Sequence, residues 1–555
     1  MAAHDQTTDD SRPGQDPPEE RQGMIVRALN GVERIGNYLP HPFWLFVILA
    51  GVVVVLSSVL NAMGVGAEHP APEEGEDSWV GVESLLTAEG LQVMVTGAVD
   101  NFVNFPPLGL IITVMLGVAV AEGSGLISAT IRVAVSRVSK RWLTFTVALA
   151  GVTGSVASDA IYIILIPLAA AAFKAVGRSA VLGAIVAFGS ASAGYNASLV
   201  ITASDPLFAG ISTSAAQLID EDYVVSPIAN YFFAAASAVV LAAVVTLVTE
   251  LLLVKVTAKM RSEEDKEGGA ATAVLRAGRS EETQGAGTEG ASAAIEDNED
   301  LLSYTKEEVR ALWKTGLSLV IFLGVFFAAL FIPGSPFDGG GAGALESPLV
   351  TDVAVPISLA FLVIGLTYGI SVGSIKRAQD VPMVMARSLK ELTGVIVIFF
   401  AAAQFIAYFN WTNMGTVLAI NGAETLERWD LPPFVLFGSV VLLVALFNFF
   451  ITSGSAQYTL MAPVLVPMLM LIGVNPEVTQ MLFRMGDSPT NIITPMSPYF
   501  ALVLGYLQRY YPRAGVGTMI SLTLPLALTM LVTWFLFFMV WYAFGLPLGP
   551  GVPIR

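Results

Sequence analysis

The 555-residue chain contains no cysteine, and its three histidines, His4, His41 and His69, lie outside the long apolar segments. These absences remove several chemistries together. A thiolate nucleophile, an iron–sulfur cluster, a membrane haem, a His-ligated zinc and a Ser/His dyad have no ligands inside those segments. Charge is scarce too: at 13% charged residues, the chain lacks the polar surface that a water-soluble domain of this length requires. What it has instead is 54% apolar residues and a mean hydropathy of +0.69, so the bilayer is the solvent for most of it. The apolar runs are long and continuous rather than alternating, which disfavours a β-barrel. The formal net charge of -17 sits mostly in loops and tails and argues against nucleic acid as a partner.

The first 24 residues are acidic and Pro-containing without an apolar h-region, and read as part of a disordered cytoplasmic tail, 1–30. Nine spans are expected, at about Pro42–Gly64, Pro107–Val133, Ala180–Ile201, Ile228–Leu253, Ala311–Ile332, Val353–Ile375, Val395–Phe409, Met481–Leu507 and Ile520–Phe544. Two further apolar stretches, Trp142–Phe173 and Pro433–Gly473, fit badly as single spans. Basic residues accumulate on the cytoplasmic side. Arg132, Arg137, Lys140 and Arg141 precede the first odd stretch, and Lys174 and Arg178 follow it, so both ends are cytoplasmic. Around the second stretch Arg428 is the only basic residue, so both its ends are extracytoplasmic. Two re-entrant hairpins entering from opposite faces are the expectation, with the N-terminus inside.

The domain reading follows. An N-terminal membrane half, 31–256, carries hairpin 142–173 and a broken helix 180–206. A Gly/Ala/Glu/Ser-rich cytoplasmic linker, 257–306, joins it to a C-terminal half, 307–547, with hairpin 433–475 and a broken helix 477–508, before a tail 548–555. The fold class is all-α and polytopic, an inverted repeat with broken helices at the midplane.

The halves share a pattern. Ser155 to Pro167 in the first hairpin matches Ser455 to Pro467 in the second, and each hairpin precedes a helix interrupted by polar, helix-breaking residues. These are Gly194-Tyr-Asn196-Ala-Ser198 with Thr202 and Asp205-Pro206, and Gly486-Asp487-Ser488-Pro489-Thr490-Asn491 with Thr494-Pro495. In such repeats, unwound backbone and half-helix ends near the midplane coordinate an ion or an anionic group, and irregular backbone there must line a cavity or be buried. Taken singly, Ser155, Ser158, Ser190, Ser192 and Ser198 read better as close helix packing. Arg484 and Asp487 are different, since each costs about 2.5–3.5 kcal/mol at a helix centre and persists only by pairing or by contact with a ligand. Asp159 and Asp205 lie near a hairpin or helix end and read equally well as cavity-lining or interfacial. Tyr458 reads equally as packing or as a stacking partner for an aromatic ligand beside Arg484. Trp44, Trp142 and Trp411 read as interfacial anchors.

Gly36-Asn-Tyr-Leu-Pro-His-Pro-Phe-Trp-Leu-Phe46, Ser158-Asp-Ala-Ile-Tyr162, Ser453-Gly-Ser-Ala456, Arg484-Met-Gly-Asp-Ser488 and Thr490-Asn-Ile-Ile-Thr-Pro495 resemble the AbgT family of p-aminobenzoyl-glutamate transporters and sulfonamide exporters. The resemblance runs from about residue 30 to 545. It implies a homodimer in the bacterial inner membrane and transport, without enzymatic activity, of a small aromatic carboxylate driven by an ion gradient. Motif by motif it places substrate-binding residues at Asp205, Ser455, Tyr458, Pro476, Arg484, Asp487 and Pro495, with Tyr458 standing where the family pattern has Trp. It implies a Na⁺ site near Asn196, Asp487 and Asn491, the coupling ion being Na⁺ or H⁺. On this reading Arg484 meets the substrate carboxylate, Tyr458 faces its ring, and Asp487 with neighbouring amide oxygens binds Na⁺ or takes a proton, the adjacent Arg484 favouring the cation unless burial reverses it. The competing readings are a transporter of another organic anion such as a dicarboxylate, a channel, and an intramembrane aspartyl hydrolase using Asp487 with Asp159 or Asp205, whose shared-proton dyad Arg484 would disrupt.

Overall fold

The computed structural model describes residues 40–68, 79–257, 302–338, 344 and 347–555, apart from 495 and 513. The N-terminal tail, most of the linker, part of the loop 333–343 and Pro495 therefore lie outside the described residues. What is described is almost wholly helical. One short antiparallel ribbon, β1 (Gly66–Glu68) with β2 (Trp79–Gly81), caps one end.

The first half runs α1 (Pro42–Ala62), α2 (Ala88–Thr96), α3 (Ala98–Val103), α4 (Pro106–Gly123), α5 (Leu126–Arg137), α6 (Leu143–Thr153), α7 (Ala160–Ala175), α8 (Ala180–Ala193), α9 (Ser204–Ala216) and α10 (Tyr231–Val248). The second runs α11 (Lys306–Phe331), α12 (Pro348–Thr351), α13 (Ala354–Val372), α14 (Asp380–Glu391), α15 (Thr393–Trp411), α16 (Met414–Trp429), α17 (Pro433–Asn448), α18 (Gly454–Leu471), α19 (Pro476–Thr490), α20 (Pro498–Tyr510) and α21 (Val516–Ala543). Proline, whose missing N–H costs nothing at the first helical position, opens α1, α4, α17, α19 and α20.

Eight helices among the described residues are long and apolar enough to cross a membrane. The expected spans Ala180–Ile201 and Met481–Leu507 are not among them, because the polar breaks end α8 at Ala193 and α19 at Thr490. The expected span Pro107–Val133 is also two helices. Gly125 (φ 87°) turns the chain between α4 and α5, a left-handed conformation that glycine adopts without a Cβ clash.

The two odd stretches are helical hairpins. In the first, α6 and α7 meet through a 3₁₀ turn, Gly154–Ala157, and Ser158 (φ 45°, ψ −131°). In the second, α17 and α18 meet at 449–453, where Ser453 caps α18 by accepting from the Ala456 N–H. Each hairpin packs on the helix that follows it, α6 and α7 on α8, α17 and α18 on α19. The approach is close. A Cβ on Gly183 would lie 2.5 Å from the Ala169 carbonyl oxygen, and one on Gly486 would lie 2.6 Å from that of Val441. Beyond each break the halves exchange partners: α9 packs on α18 of the second hairpin, and α20 packs on α7 of the first. Helices α8, α10, α19 and α21 close the centre between the halves, while α4, α11 and α13 pack together at one side, and α1 with α15 pack as a further pair.

Candidate functional site

Helix α19 presents Glu477, Gln480, Arg484, Asp487 and Asn491 at intervals of three or four residues, which places them on one face. The first four are buried. A face this polar is stable in the interior only if partners meet it, and the partners come from the first half in reverse chain order. Tyr223 meets Glu477, Ser212 meets Gln480, Asp205 meets Arg484, and Asn196 meets Asp487 and Ser488. The seam between α19 and the α8–α9 segment is therefore an antiparallel ladder of polar pairs joining the two halves.

Arg484 Nη1 donates to Asp205 Oδ1 at 2.6 Å, and its guanidinium lies 5.1 Å from the centre of the Phe208 ring. Asp205 sits in the first turn of α9, where its Oδ2 accepts from the Thr202 N–H (2.6 Å) and Thr202 Oγ1 (2.9 Å). The other edge of the guanidinium, Nε and Nη2, is buried with no hydrogen-bond acceptor among the described residues. A planar fork with one edge satisfied and the other free is suited to a carboxylate.

Asp487 does not pair with Arg484, which corrects the expectation that the adjacent arginine holds it. Asp205 takes the guanidinium, and Asp487 Oδ2 turns to accept from Asn196 Nδ2 at 2.8 Å. Its Oδ1 has no donor. A Cβ on Gly454, the first residue of α18, would lie 3.4 Å from both carboxylate oxygens, so the carboxylate rests against the start of that helix. Asn448, at the end of α17, donates through Nδ2 to the Asp487 carbonyl (2.7 Å), Thr490 Oγ1 (2.8 Å) and Asn491 Oδ1 (3.0 Å). The buried oxygens left without a donor here are Asn196 Oδ1, Asn448 Oδ1 and Asp487 Oδ1. Oxygen acceptors that lack donors suit a hard cation or a proton.

Tyr458 is fully buried. Its hydroxyl lies 2.6 Å from Ser212 Oγ, which in turn donates to Gln480 Oε1 at 2.9 Å, so Tyr458 is the donor in the first bond. Its ring packs 4.4 Å from Phe483 and edge-on to Phe208 at 5.5 Å. A small pocket beside the first break is lined by Asn196, Thr202, Asp205 and Tyr231.

The model of the AbgT putative transporter family matches residues 27–289 and 281–555. This chain belongs to the AbgT family. It is 36% identical over 523 residues to the p-aminobenzoyl-glutamate transport protein of Escherichia coli K12, covering 94% of this chain and 96% of that one. It is similar to the crystal structure of the Alcanivorax borkumensis YdaH transporter (TM-score 0.79, 37% identity, 92% of this chain and 100% of that chain), described as having an unusual topology. It is also similar to Neisseria gonorrhoeae MtrF, described as illuminating a class of antimetabolite efflux pumps (TM-score 0.83, 37% identity, 95% and 100%). The family and these relatives are transporters and not enzymes.

Within this AbgT chain, Asp205, Arg484 and Tyr458 converge around Phe208, and Asp487 joins Asn196 one turn further along α19. Ser455 is half-buried at the second position of α18, 3.3 Å from Ser453 Oγ, and Pro476 starts α19. Asp159 is exposed at the tip of the first hairpin, just before α7. Sequence reasoning missed Asn448, Phe208, Ser212 and Gln480, and had Thr202 only as one of the polar residues of the first break. Gln480 had a signal, four residues before Arg484 on the same face; Asn448 had one as the polar residue ending an apolar run.

Proposed function

We propose that this AbgT protein is an ion-coupled secondary transporter of small aromatic carboxylates such as p-aminobenzoyl-glutamate, with export of sulfonamide-type antimetabolites as a related activity. The observation that carries the reading is the free, buried Nε–Nη2 edge of Arg484 on the helix that also holds the incompletely satisfied Asp487 carboxylate. The names of the E. coli and N. gonorrhoeae relatives support the substrate class.

The charges of the site give the coupling. Asp205 offsets Arg484, which leaves the Asp487 carboxylate without a countercharge. A substrate carboxylate docking on Arg484 would add a second uncompensated negative charge. For charges about 8 Å apart at an effective dielectric of about 20, that repulsion is about 2 kcal/mol. A Na⁺ or proton among Asp487, Asn196, Asn448 and Asn491 removes it, so cation binding favours substrate binding and the reverse. As the seam opens, the faces of Phe208 and Tyr458 become available to the substrate ring, next to the carboxylate on Arg484. Substrate binding thus draws on Asp205, Ser455, Tyr458, Pro476, Arg484, Asp487 and Pro495.

The protein resides in the bacterial inner membrane with a cytoplasmic N-terminus, works by alternating access of two hairpins entering from opposite faces, and forms a homodimer. The loop Lys/Arg distribution supports the orientation. Flux of p-aminobenzoyl-glutamate into proteoliposomes under imposed Na⁺ or proton gradients tests the reading; absence of gradient-dependent flux for it and for a sulfonamide refutes it.

A further inference from the structure

One buried carboxylate on the polar seam has no part in the scheme above. Glu477 lies at the second position of α19, on the face that carries Gln480, Arg484 and Asp487, and only 5% of it is exposed. Its two carboxylate oxygens share one side-chain donor, the Tyr223 hydroxyl, at 3.0 and 3.3 Å. Asn230, itself 3% exposed, donates through Nδ2 to the Glu477 backbone carbonyl at 3.2 Å, and its Oδ1 is buried without a donor. The two carboxylate oxygens thus share one side-chain O–H, and the Asn230 amide oxygen has no donor among the described residues. The cluster is short of protons to share, and no Lys or Arg among the described residues pairs with Glu477.

The charged and titratable groups on the elements around it do not supply the deficit. Among the helices packed on α19, α8 and α17 carry none. Helix α18 contributes Tyr458, whose hydroxyl serves Ser212, and α9 contributes Asp205, which is held by Arg484. Helix α21 contributes Tyr542, whose ring is covered by Arg555. The segment that carries Tyr223 adds three further acidic residues, Asp220, Glu221 and Asp222. Apart from Arg555, whose guanidinium is engaged by the Tyr542 ring and carbonyl, the charged neighbours without an ion-pair partner among the described residues are acidic.

We propose that Glu477 is a second proton-binding site on the transport seam, taking its proton from the extracytoplasmic solution, with Tyr223 as the latch that its protonation releases. The inference rests on the transport reading and on the outward placement of residues 473–477 by the loop charges. The step is a simple transfer. An O–H bond of hydronium breaks, an O–H bond forms on a Glu477 carboxylate oxygen, and the Tyr223 hydroxyl gives up that oxygen as its acceptor. The link between the Tyr223 segment and α19 loosens, and the seam parts from its outer end inward.

Two measurements on the full-length protein separate this from the transport reading. In pH-difference infrared spectra of the purified protein without substrate, a protonated-carboxyl band is expected in wild type, lost in Glu477→Gln and displaced in Tyr223→Phe. A band unchanged in both variants overturns the proposal. In proteoliposomes with the outer pH varied between about 5 and 8 at fixed inner pH, wild-type p-aminobenzoyl-glutamate flux is expected to change several-fold. In Glu477→Gln that ratio falls below the wild-type ratio, leaving only the response of the coupling site at Asp487, while the substrate Kd stays within about twofold. Retention of the wild-type outer-pH profile by Glu477→Gln overturns the proposal. Absence of flux with the infrared band present and lost in Glu477→Gln refutes the transport reading and leaves the proton site standing.

Discussion

Replacing Arg484 by lysine separates charge from shape at the centre of the site. Arg484 spends Nη1 on Asp205 and keeps Nε and Nη2 free and buried, so a substrate carboxylate gains two parallel charge-assisted hydrogen bonds. Lysine keeps the positive charge and the ion pair with Asp205, but it presents a compact ammonium in place of the second edge. One of the two bonds is lost, at about 1.5–3 kcal/mol. At 1.4 kcal/mol per tenfold, the Kd for p-aminobenzoyl-glutamate rises about 10- to 150-fold. The assay is titration of purified protein by intrinsic tryptophan fluorescence, with thermal unfolding in parallel. Asp205→Asn is the companion. It leaves a buried guanidinium uncompensated, which costs about 3–5 kcal/mol of stability, so its unfolding temperature falls much further than that of Arg484→Lys. An Arg484→Lys protein that binds within about twofold of wild type, or that loses binding and stability in the same proportion as Asp205→Asn, refutes the free-edge argument.

Asp487→Asn removes the carboxylate that lacks a countercharge while Asn196 keeps an amide partner; flux then no longer follows an imposed Na⁺ or proton gradient, and unimpaired gradient-driven flux would count against the cation site. Tyr458→Phe deletes the donor to Ser212 but leaves the Ser212–Gln480 bond and the ring contacts; thermal unfolding shows a loss of about 0.5–1.5 kcal/mol, with substrate affinity less affected than in Arg484→Lys. Ser158→Gly relieves a left-handed φ that costs a side-chain-bearing residue about 1–3 kcal/mol, less about 0.5–1 kcal/mol of added unfolded-state freedom, so the unfolding temperature rises. Asp380, the first residue of α14, accepts from the Lys376 and Arg377 N–H groups of the preceding loop, which hold it below its ordinary value of 3.8. A depressed folded value stabilises the turn above that ordinary value and is lost as pH falls through the folded one. Amide exchange at Lys376 and Arg377 therefore accelerates, relative to Asp380→Asn, as pH decreases through that window.

The polar punctuation was readable residue by residue. Gly194 and Asn491 stand where α8 and α19 end, with Asn196 just beyond the first of these ends, and two apolar stretches of awkward length announced the hairpins. The turn at Gly125 escaped notice because hydropathy stays high across it, and only the backbone needs the glycine. Arg484 was found because a buried cation is costly anywhere, yet its partner was assigned to the nearest carboxylate in sequence. Asp205 is 279 residues away, and as an acidic residue opening a helix it has a sufficient local reason to exist. Tyr458 carried the opposite ambiguity. Its hydroxyl partner, Ser212, is an ordinary small residue of a membrane helix until the fold brings the two within 2.6 Å.

The ladder between α19 and the first half also sets a problem for the ribosome and the insertion machinery. Asn196, Asp205 and Ser212 are made long before Gln480, Arg484 and Asp487 exist. At about 5–20 residues per second, the 279 residues between Asp205 and Arg484 take roughly 15–55 s to synthesise. Throughout that interval the nascent first half must keep a carboxylate, an amide and a hydroxyl in water or at the lipid interface, since no helix yet offers them partners. Insertion of the first broken helix to its final depth therefore waits for about the last seventh of the chain, and a truncation before residue 476 leaves a product that membrane quality control should treat as unfinished.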